Sequence, residues 1–384
     1  MKIVMVDASR LAWLYSHFLC EALAAKDHEV HLVTTRFLYA DAQPAQSYIE
    51  WDHFYHRTNR LYGDRAQAPL RQYVKGLEHV IDMVRVGGLL RRVQPDVIHF
   101  QQAPVPWVDG WFLESLKRVA PVVSTVHNTT PFHGDAPWIQ RRGFRFLIRR
   151  FDHVIVHTNY SRRCLVGELG VPDERISEVR GGVYDFYQRI PGTPERSHVK
   201  PSEDVVLFFG NLSYYKGPDL MLEAFARLPA SRRDRTRLLM AGNPKMPAKT
   251  LKQLASDLGI ADRVEWDLRF IPDDEVDAIF SRATVVALPY RHIERSGVLT
   301  TALSYGKPIV ANRIGGFAEM LEDGVQGFLV DPKNPSEMAA RLDDVLADTD
   351  RARQMGKAAL ELARNWCSWD ETAGQMVDIY SRVR

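Results

Sequence analysis

What the sequence lacks narrows it first. Cysteine is scarce: Cys20, Cys164 and Cys367 are the only three in 384 residues, far apart and with no CxxC pair. A disulfide scaffold and a zinc ribbon are therefore not expected, and the odd count fits a reducing compartment. No apolar run approaches the ~18 residues a membrane span needs. Residues 1–6 run at once into Asp7 and Arg10, so the start has no apolar core of a secretory signal. Neither charge sign is in excess: 50 Lys+Arg face 48 Asp+Glu, a net +2. That is too little for a nucleic-acid binder acting through bulk charge. No internal repeat or low-complexity tract is present. The first strand-to-helix turn, Val6-Asp7-Ala8-Ser9-Arg10-Leu11, has no glycine. Without the glycines of a G-x-G-x-x-G turn, backbone amides cannot close on a pyrophosphate, which excludes a dinucleotide cofactor there. The remaining mix, 45% hydrophobic and 26% charged, is that of a globular protein. At ~150 residues per domain the length suits two. The expectation is a cytoplasmic protein without a membrane span.

Short apolar runs alternate with longer amphipathic ones. Residues 3–6, 30–34, 97–100, 122–126 and 154–157 read as buried strands separated by helical-length segments. The series restarts with 205–209, 238–240, 284–288 and 308–311. This alternation predicts an α/β protein with two doubly wound parallel sheets in tandem. The domains are placed at 1–185 and 205–367, with a Pro-containing linker over 186–204 and a terminal helix within 368–384. Ligands of such sheets sit beyond the carboxyl ends of the strands, so a cleft between the domains is the expected site.

Three stretches carry chemistry. Residues 210–217, Gly-Asn-Leu-Ser-Tyr-Tyr-Lys-Gly, join a strand to a helix announced by Pro218 and Asp219. Lys216 beside that helix start suits a phosphate, although a solvated loop lysine is the plainer reading. Residues 289–299 lead into a helix opening near Ser296; Gly297 admits a ligand to the backbone, and the first amides are unpaired donors. Glu294 is out of place in an anion site and fits sugar hydroxyls better, unless it only complements the helix dipole. His127 closes a buried strand of the first domain, where a histidine is either a polar ligand contact or structural.

In this order, on two Rossmann-like domains, these pieces resemble the retaining glycosyltransferases of family GT4, which have the GT-B fold. The resemblance runs over most of the chain. It includes His127, Gly182-Val183, Gly210 to Gly217 with Lys216, Glu294 with Ser296-Gly297-Val298, Gly306-Lys307-Pro308, Gly315-Gly316-Phe317-Ala318-Glu319, and the closing helix that crosses back to the first domain. Each motif is loose alone; their order and spacing are specific. The resemblance implies a nucleotide-sugar donor (UDP- or GDP-hexose) held by the second domain and a saccharide or lipid-linked acceptor held by the first. It implies retention at the anomeric carbon with no metal and no cofactor. Lys216 would hold the departing diphosphate, and the Ser296, Gly297 and Val298 amides, with Gly210, Asn211 and Arg295 beside them, would bind the donor. Glu294 would take a sugar hydroxyl, and His127 would face the same sugar.

Three departures from the family bear on this. Asn211 stands where an arginine is frequent, and Arg295 or Arg269 could replace the missing charge. Ala302 stands where a second glutamate usually grips the ribose. The glycine pair of the first turn is absent, leaving Ser9, Arg10 and Trp13 as acceptor-side residues. Two other readings stay open: another GT-B enzyme such as a nucleotide-sugar epimerase, and an inactive glycosyltransferase-like partner subunit.

The histidine pairs His53/His56 and His153/His157 have no third ligand at zinc spacing and are read as structural. The first pair lies in the aromatic-rich segment 48–62, read as an acceptor-side loop. Arg141, Arg142, Arg145, Arg149 and Arg150 share a segment whose Phe144, Leu147, Ile148 and Phe151 fall on one helical face. The arginines then face solvent, or meet anionic headgroups at the inner face of a membrane.

Overall fold

A strand buried on both faces needs no polar alternation, and the central strands of this chain have none. Five of the six residues of β1 (Lys2–Asp7) are buried, and likewise in β2 (Glu29–Thr34). The computed structural model describes residues 1–10, 12–36, 46–63, 70–130, 138–183, 203–366 and 368–384. They divide into two units, Met1–Gly182 with Cys367–Arg384, and Val183–Trp366. Apart from residues 203 and 204, the linker expected over 186–204 lies outside the described residues, and Asp204 already opens a strand.

In the first unit β1 is followed by α1 (Trp13–Ala24), β2, β3 (Ile49–Asp52), α2 (His56–Tyr62), α3 (Arg71–Val93) and β4 (Val97–Gln102). Then come α4 (Pro106–Leu116), β5 (Val122–Thr125), α5 (Trp138–Ile148), β6 (His153–Val156), α6 (Asn159–Gly167) and β7 (Ile176–Glu178). The parallel sheet has the order β3-β2-β1-β4-β5-β6-β7. The segment 48–62 is not a loop: it contains β3, which pairs in parallel with β2, and helix α2. Two of its aromatic residues, Phe54 and Tyr55, serve the core, whereas Trp51 is exposed. His53 and His56 bond the carbonyls of Asp82 and Asp52.

The second unit runs β8 (Asp204–Phe209), α7 (Pro218–Ala226), α8 (Ala230–Arg233), β9 (Thr236–Ala241), α9 (Ala248–Asp257), β10 (Val264–Asp267) and α10 (Asp273–Arg282). It continues with β11 (Val285–Leu288), α11 (Gly297–Ser304), β12 (Ile309–Asn312), α12 (Gly315–Met320), β13 (Gly327–Val330), α13 (Pro335–Ala347) and α14 (Thr349–Trp366). Its parallel sheet has the order β10-β9-β8-β11-β12-β13. Alternate residues of β8 feed two cores. Val206 and Phe208 pack with Met221, Leu222 and Phe225 of α7, while Val205 and Leu207 pack with Ile279, Phe280 and Leu303.

The last helix, α15 (Trp369–Val383), belongs to the first unit. Ser368 and Glu371 close a capping box at its start. It lies on α1, with the Trp369 ring 5.2 Å from that of Tyr15 and stacked 5.4 Å from that of Phe18. Ala373, Met376, Ile379 and Tyr380 are buried, each large side chain contributing about 1.5–3 kcal/mol.

Candidate active site

In the second unit, β8 ends at Gly210 and the chain makes a short turn, Tyr214–Lys216, before Gly217 and Pro218 open α7. Gly217 is left-handed at φ +68°, and a Cβ there would sit 2.2 Å from the Pro289 carbonyl oxygen. Only glycine lets this turn close on the loop after β11. Two further contacts lock those loops together. The Arg291 amide donates to the Tyr215 carbonyl at 2.7 Å. The Arg291 guanidinium forks onto Asp219 at 2.8 and 2.7 Å and lies over the Tyr214 ring.

This framework buries Lys216 to 8% exposure, with its ammonium 5.4 Å from the centre of the Tyr290 ring. A Cβ on Gly210 would lie 2.5 Å from Lys216 Nζ and 3.5 Å from Val298 Cγ2, so the cation, Gly210 and the first turn of α11 are contiguous. Among the described residues no carboxylate pairs with Lys216. Burial without a partner pushes its ammonium down to about pKa 8. At the start of α11, Ser296 uses its Oγ and carbonyl to take the amides of Leu299 and Thr300. The Gly297 and Val298 amides, which no helical carbonyl can reach, point out of the same terminus. Glu294, three residues before the helix, is buried, with Oε1 3.8 Å from His292 Nε2.

The remaining donor-side residues fall in different places. Asn211 is exposed at the head of the turn, and Arg295 is half-buried before α11. Arg269 is no stand-in for a missing cation: Asp267 and Glu275 both grip its guanidinium. Ala302 is buried in the apolar core, so that position presents nothing to a ribose.

In the first unit, His127 lies two residues beyond β5 and is half-buried. Its Nε2 is 3.0 Å from Gln101 Oε1, an atom that only accepts, so Nε2 carries the proton. Gln101 is itself oriented, its Nε2 donating to Met5 Sδ at 2.9 Å and lying 3.3 Å from His99 Nε2. His99 reaches Thr125 at 2.8 Å and the Tyr380 hydroxyl of α15 at 2.6 Å; burial holds it down to about pKa 3, hence neutral. Tyr15 and His157 stand against the His127 ring at 4.8 and 5.3 Å. The sequence reading missed Gln101 and His99, whose alternate positions on β4 were the available signal.

The acceptor-side residues are less open than expected. The Arg10 guanidinium is buried, bonding Glu50 of β3 at 2.6 Å and the Thr35 carbonyl at 3.0 Å. Ser9 bonds Gln102, and Trp13 starts α1. Beneath the turn Asp7 is fully buried, accepting from the Arg10 amide and the Ser16 hydroxyl, each at 2.9 Å. Desolvation raises Asp7 to about pKa 6. A small cavity here is lined by Asp7, Arg10, Trp13, His17 and Tyr48.

Two doubly wound parallel units, the second with a cation set against a helix terminus, define the GT-B class of glycosyltransferase fold. Structural similarity agrees. Sucrose-phosphate synthase from Thermosynechococcus elongatus superposes with a TM-score of 0.77 at 18% identity, covering 100% of this chain and 99% of its own. HepE of Anabaena, solved with UDP and glucose, gives 0.73 at 21% identity over 100% of both chains. The profile "Glycosyltransferase Family 4" matches residues 14–185, and "Glycosyl transferases group 1" matches 193–362. A D-inositol 3-phosphate glycosyltransferase from Corynebacterium efficiens is 31% identical over 79% of this chain and 74% of its own length. One from Mycobacterium marinum is 30% identical over 75% of this chain and 64% of its own. The chain belongs to the family 4 (group 1) glycosyltransferases, and it is a transferase enzyme.

Proposed function

We propose that the enzyme transfers a hexosyl group from a UDP-hexose to a hydroxyl of a saccharide or lipid-linked acceptor, with retention and without a metal. The observation that carries this is the buried Lys216 ammonium, without a carboxylate partner among the described residues, against Gly210 and the first turn of α11. Charge grows on the leaving diphosphate in the transition state, so a fixed cation and two fixed amides lower the barrier more than they stabilise the ground state. Glu294 accepts from a hydroxyl of the donor sugar. The acceptor belongs to the first unit, where His127 is held as the Nε2–H tautomer. The UDP choice is supported by structural neighbours solved with UDP and UDP-glucose. Metal independence is supported by the donor set itself, a buried ammonium and two helix amides placed to take the charge of the diphosphate.

The test begins with thermal shifts against UDP-, GDP-, ADP- and dTDP-hexoses, a ligand at a hundredfold excess over its Kd adding about 2.7 kcal/mol. The donor so found is then offered saccharide, polyprenyl-linked and inositol phosphate acceptors in excess EDTA, with the anomer read by NMR. Transfer with retention in EDTA is expected. No donor binding, or activity lost to EDTA and restored by Mg²⁺, contradicts the reading.

A further inference from the structure

The first unit carries a second apolar face that its core does not use. Helix α3 buries Met83, Val86, Leu89 and Leu90 against the sheet. On its opposite side Leu70, Tyr73, Leu77, Val80, Ile81 and Val84 recur at helical spacing as one stripe, and all are exposed. Tyr73 is 75% exposed and Leu77 72%, whereas a soluble surface scatters such residues singly. Exposed aromatic residues also stand on α4 and α5, Trp111 at 77% and Trp138 at 67%, and α4 carries one exposed acid, Glu114. Helices α4 and α5 are tightly joined here: Gly143 fits against the Trp107 indole, whose Nε1 donates to the Ile139 carbonyl at 3.0 Å.

Charge decides what covers this face. The only carboxylates of α3, Glu78 and Asp82, are buried, Glu78 taking the Arg57 and Thr58 amides and Asp82 the Tyr55 amide. The outward charges of α3 are therefore all positive, with Arg91 and Arg92 exposed in its last turn. On α5, which has no acid, Arg141, Arg142 and Arg145 are exposed. Arg142 lies over the Trp138 ring, Arg149 bonds the Leu169 carbonyl and Arg150 lies on the face of Phe146. A second copy docked through the same face would offer these arginines no exposed carboxylate from its own α3 or α5. An anionic bilayer matches both features: aliphatic side chains enter the acyl boundary, Trp and Tyr lie at headgroup level, and arginines meet phosphates.

We infer that the exposed face of α3, with Trp111 and the α5 arginines, is a docking surface for an anionic lipid bilayer. This deepens the proposed function, on which it rests only for its purpose, presenting a lipid-linked acceptor to the first unit. No helix of the described residues is long and apolar enough to cross a membrane, so the attachment is to the surface.

The test is sedimentation of the full chain with phosphatidylcholine vesicles, with and without phosphatidylglycerol, at low and high salt. The wild type is expected to sediment with the anionic vesicles and to keep part of that binding at high salt. Replacing Arg141, Arg142 and Arg145 by Ser should weaken low-salt binding on the order of a hundredfold. The triple change Leu77→Gln, Ile81→Gln, Val84→Gln should remove the salt-resistant part. A blue shift of tryptophan emission on vesicles should shrink in Trp111→Phe. Thermal stabilisation by UDP-hexose should be unchanged in all of these; its absence in the wild type, with vesicle binding intact, would sink the proposed reaction and leave the surface standing. A wild type that stays in the supernatant with anionic vesicles at low salt overturns the inference. So does a dimer, seen by sedimentation velocity, that the triple Gln variant abolishes while vesicles have no effect.

Discussion

Replacing Lys216 by Met should make the enzyme more stable and nearly inactive at once. The ammonium is buried and has no anionic partner among the described residues, and its pKa falls from 10.5 to about 8. That fall amounts to about 3 kcal/mol of unfavourable free energy in the empty enzyme. The sign follows from proton counting. Between about pH 8 and 10.5 the unfolded chain holds a proton that the folded one has lost, so stability rises with pH through that window. The penalty is complete below pH 8 and gone above 10.5. Lys216→Met, similar in length and uncharged, should therefore raise the stability of its unit by about 1–3 kcal/mol at pH 7. The gain should fade towards pH 10.5. Activity should move the other way, because loss of one fixed electrostatic donor costs about 3 kcal/mol or more of barrier, a fall of over a hundredfold in kcat. The assays are urea unfolding at pH 7 and pH 10, and release of nucleotide diphosphate. A variant within threefold of wild-type turnover would remove Lys216 from the chemistry. One destabilised by more than about 2 kcal/mol at pH 7 would make the lysine a structural element and refute the reasoning.

Glu294→Gln should leave UDP affinity within threefold while transfer falls at least tenfold; equal loss of both would make Glu294 structural. Gln101→Leu frees the His127 ring from its acceptor and should lower kcat about tenfold with UDP affinity unchanged, whereas an unaltered kcat would show that other contacts hold His127. Asp7, raised to about pKa 6 by desolvation, loses stability as pH rises from about 4 to 6. Asp7→Asn, which keeps the acceptor for the Arg10 amide, should therefore stabilise the first unit at pH 7 by up to about 3 kcal/mol. Denaturation at pH 7 and pH 4 checks this, and a variant less stable at pH 7 contradicts it.

The interior strands of both sheets were legible in the sequence, and the four edge strands were not. β1, β2, β4, β5 and β6, and β8, β9, β11 and β12, are buried on both faces and read as apolar runs. The edges β3, β7, β10 and β13 are short, and three of them are at least half polar: Ile-Glu-Trp-Asp, Ile-Ser-Glu and Val-Glu-Trp-Asp. Charged residues suit an edge and erase the signal. At the site, the Lys216 turn and the start of α11 were visible because each is local. The Arg291–Asp219 clamp that holds them together spans 72 residues and has no local signature. The α3 stripe escaped for another reason. A helix apolar on two opposite sides has little amphipathic contrast, and only the sheet shows which side is the core.

The central claim, that Lys216 is the cation that receives the donor diphosphate, is tested most directly by titrating UDP calorimetrically into wild type and Lys216→Met from pH 7 to 9.5. Diphosphate binding requires the ammonium charged, and in the free enzyme the proton leaves at about pH 8. The ratio of wild-type to variant affinity should be constant below pH 8 and then fall towards tenfold per unit, with proton uptake on binding by the wild type alone. A ratio near unity throughout, or one that does not change across pH 8, would contradict the account.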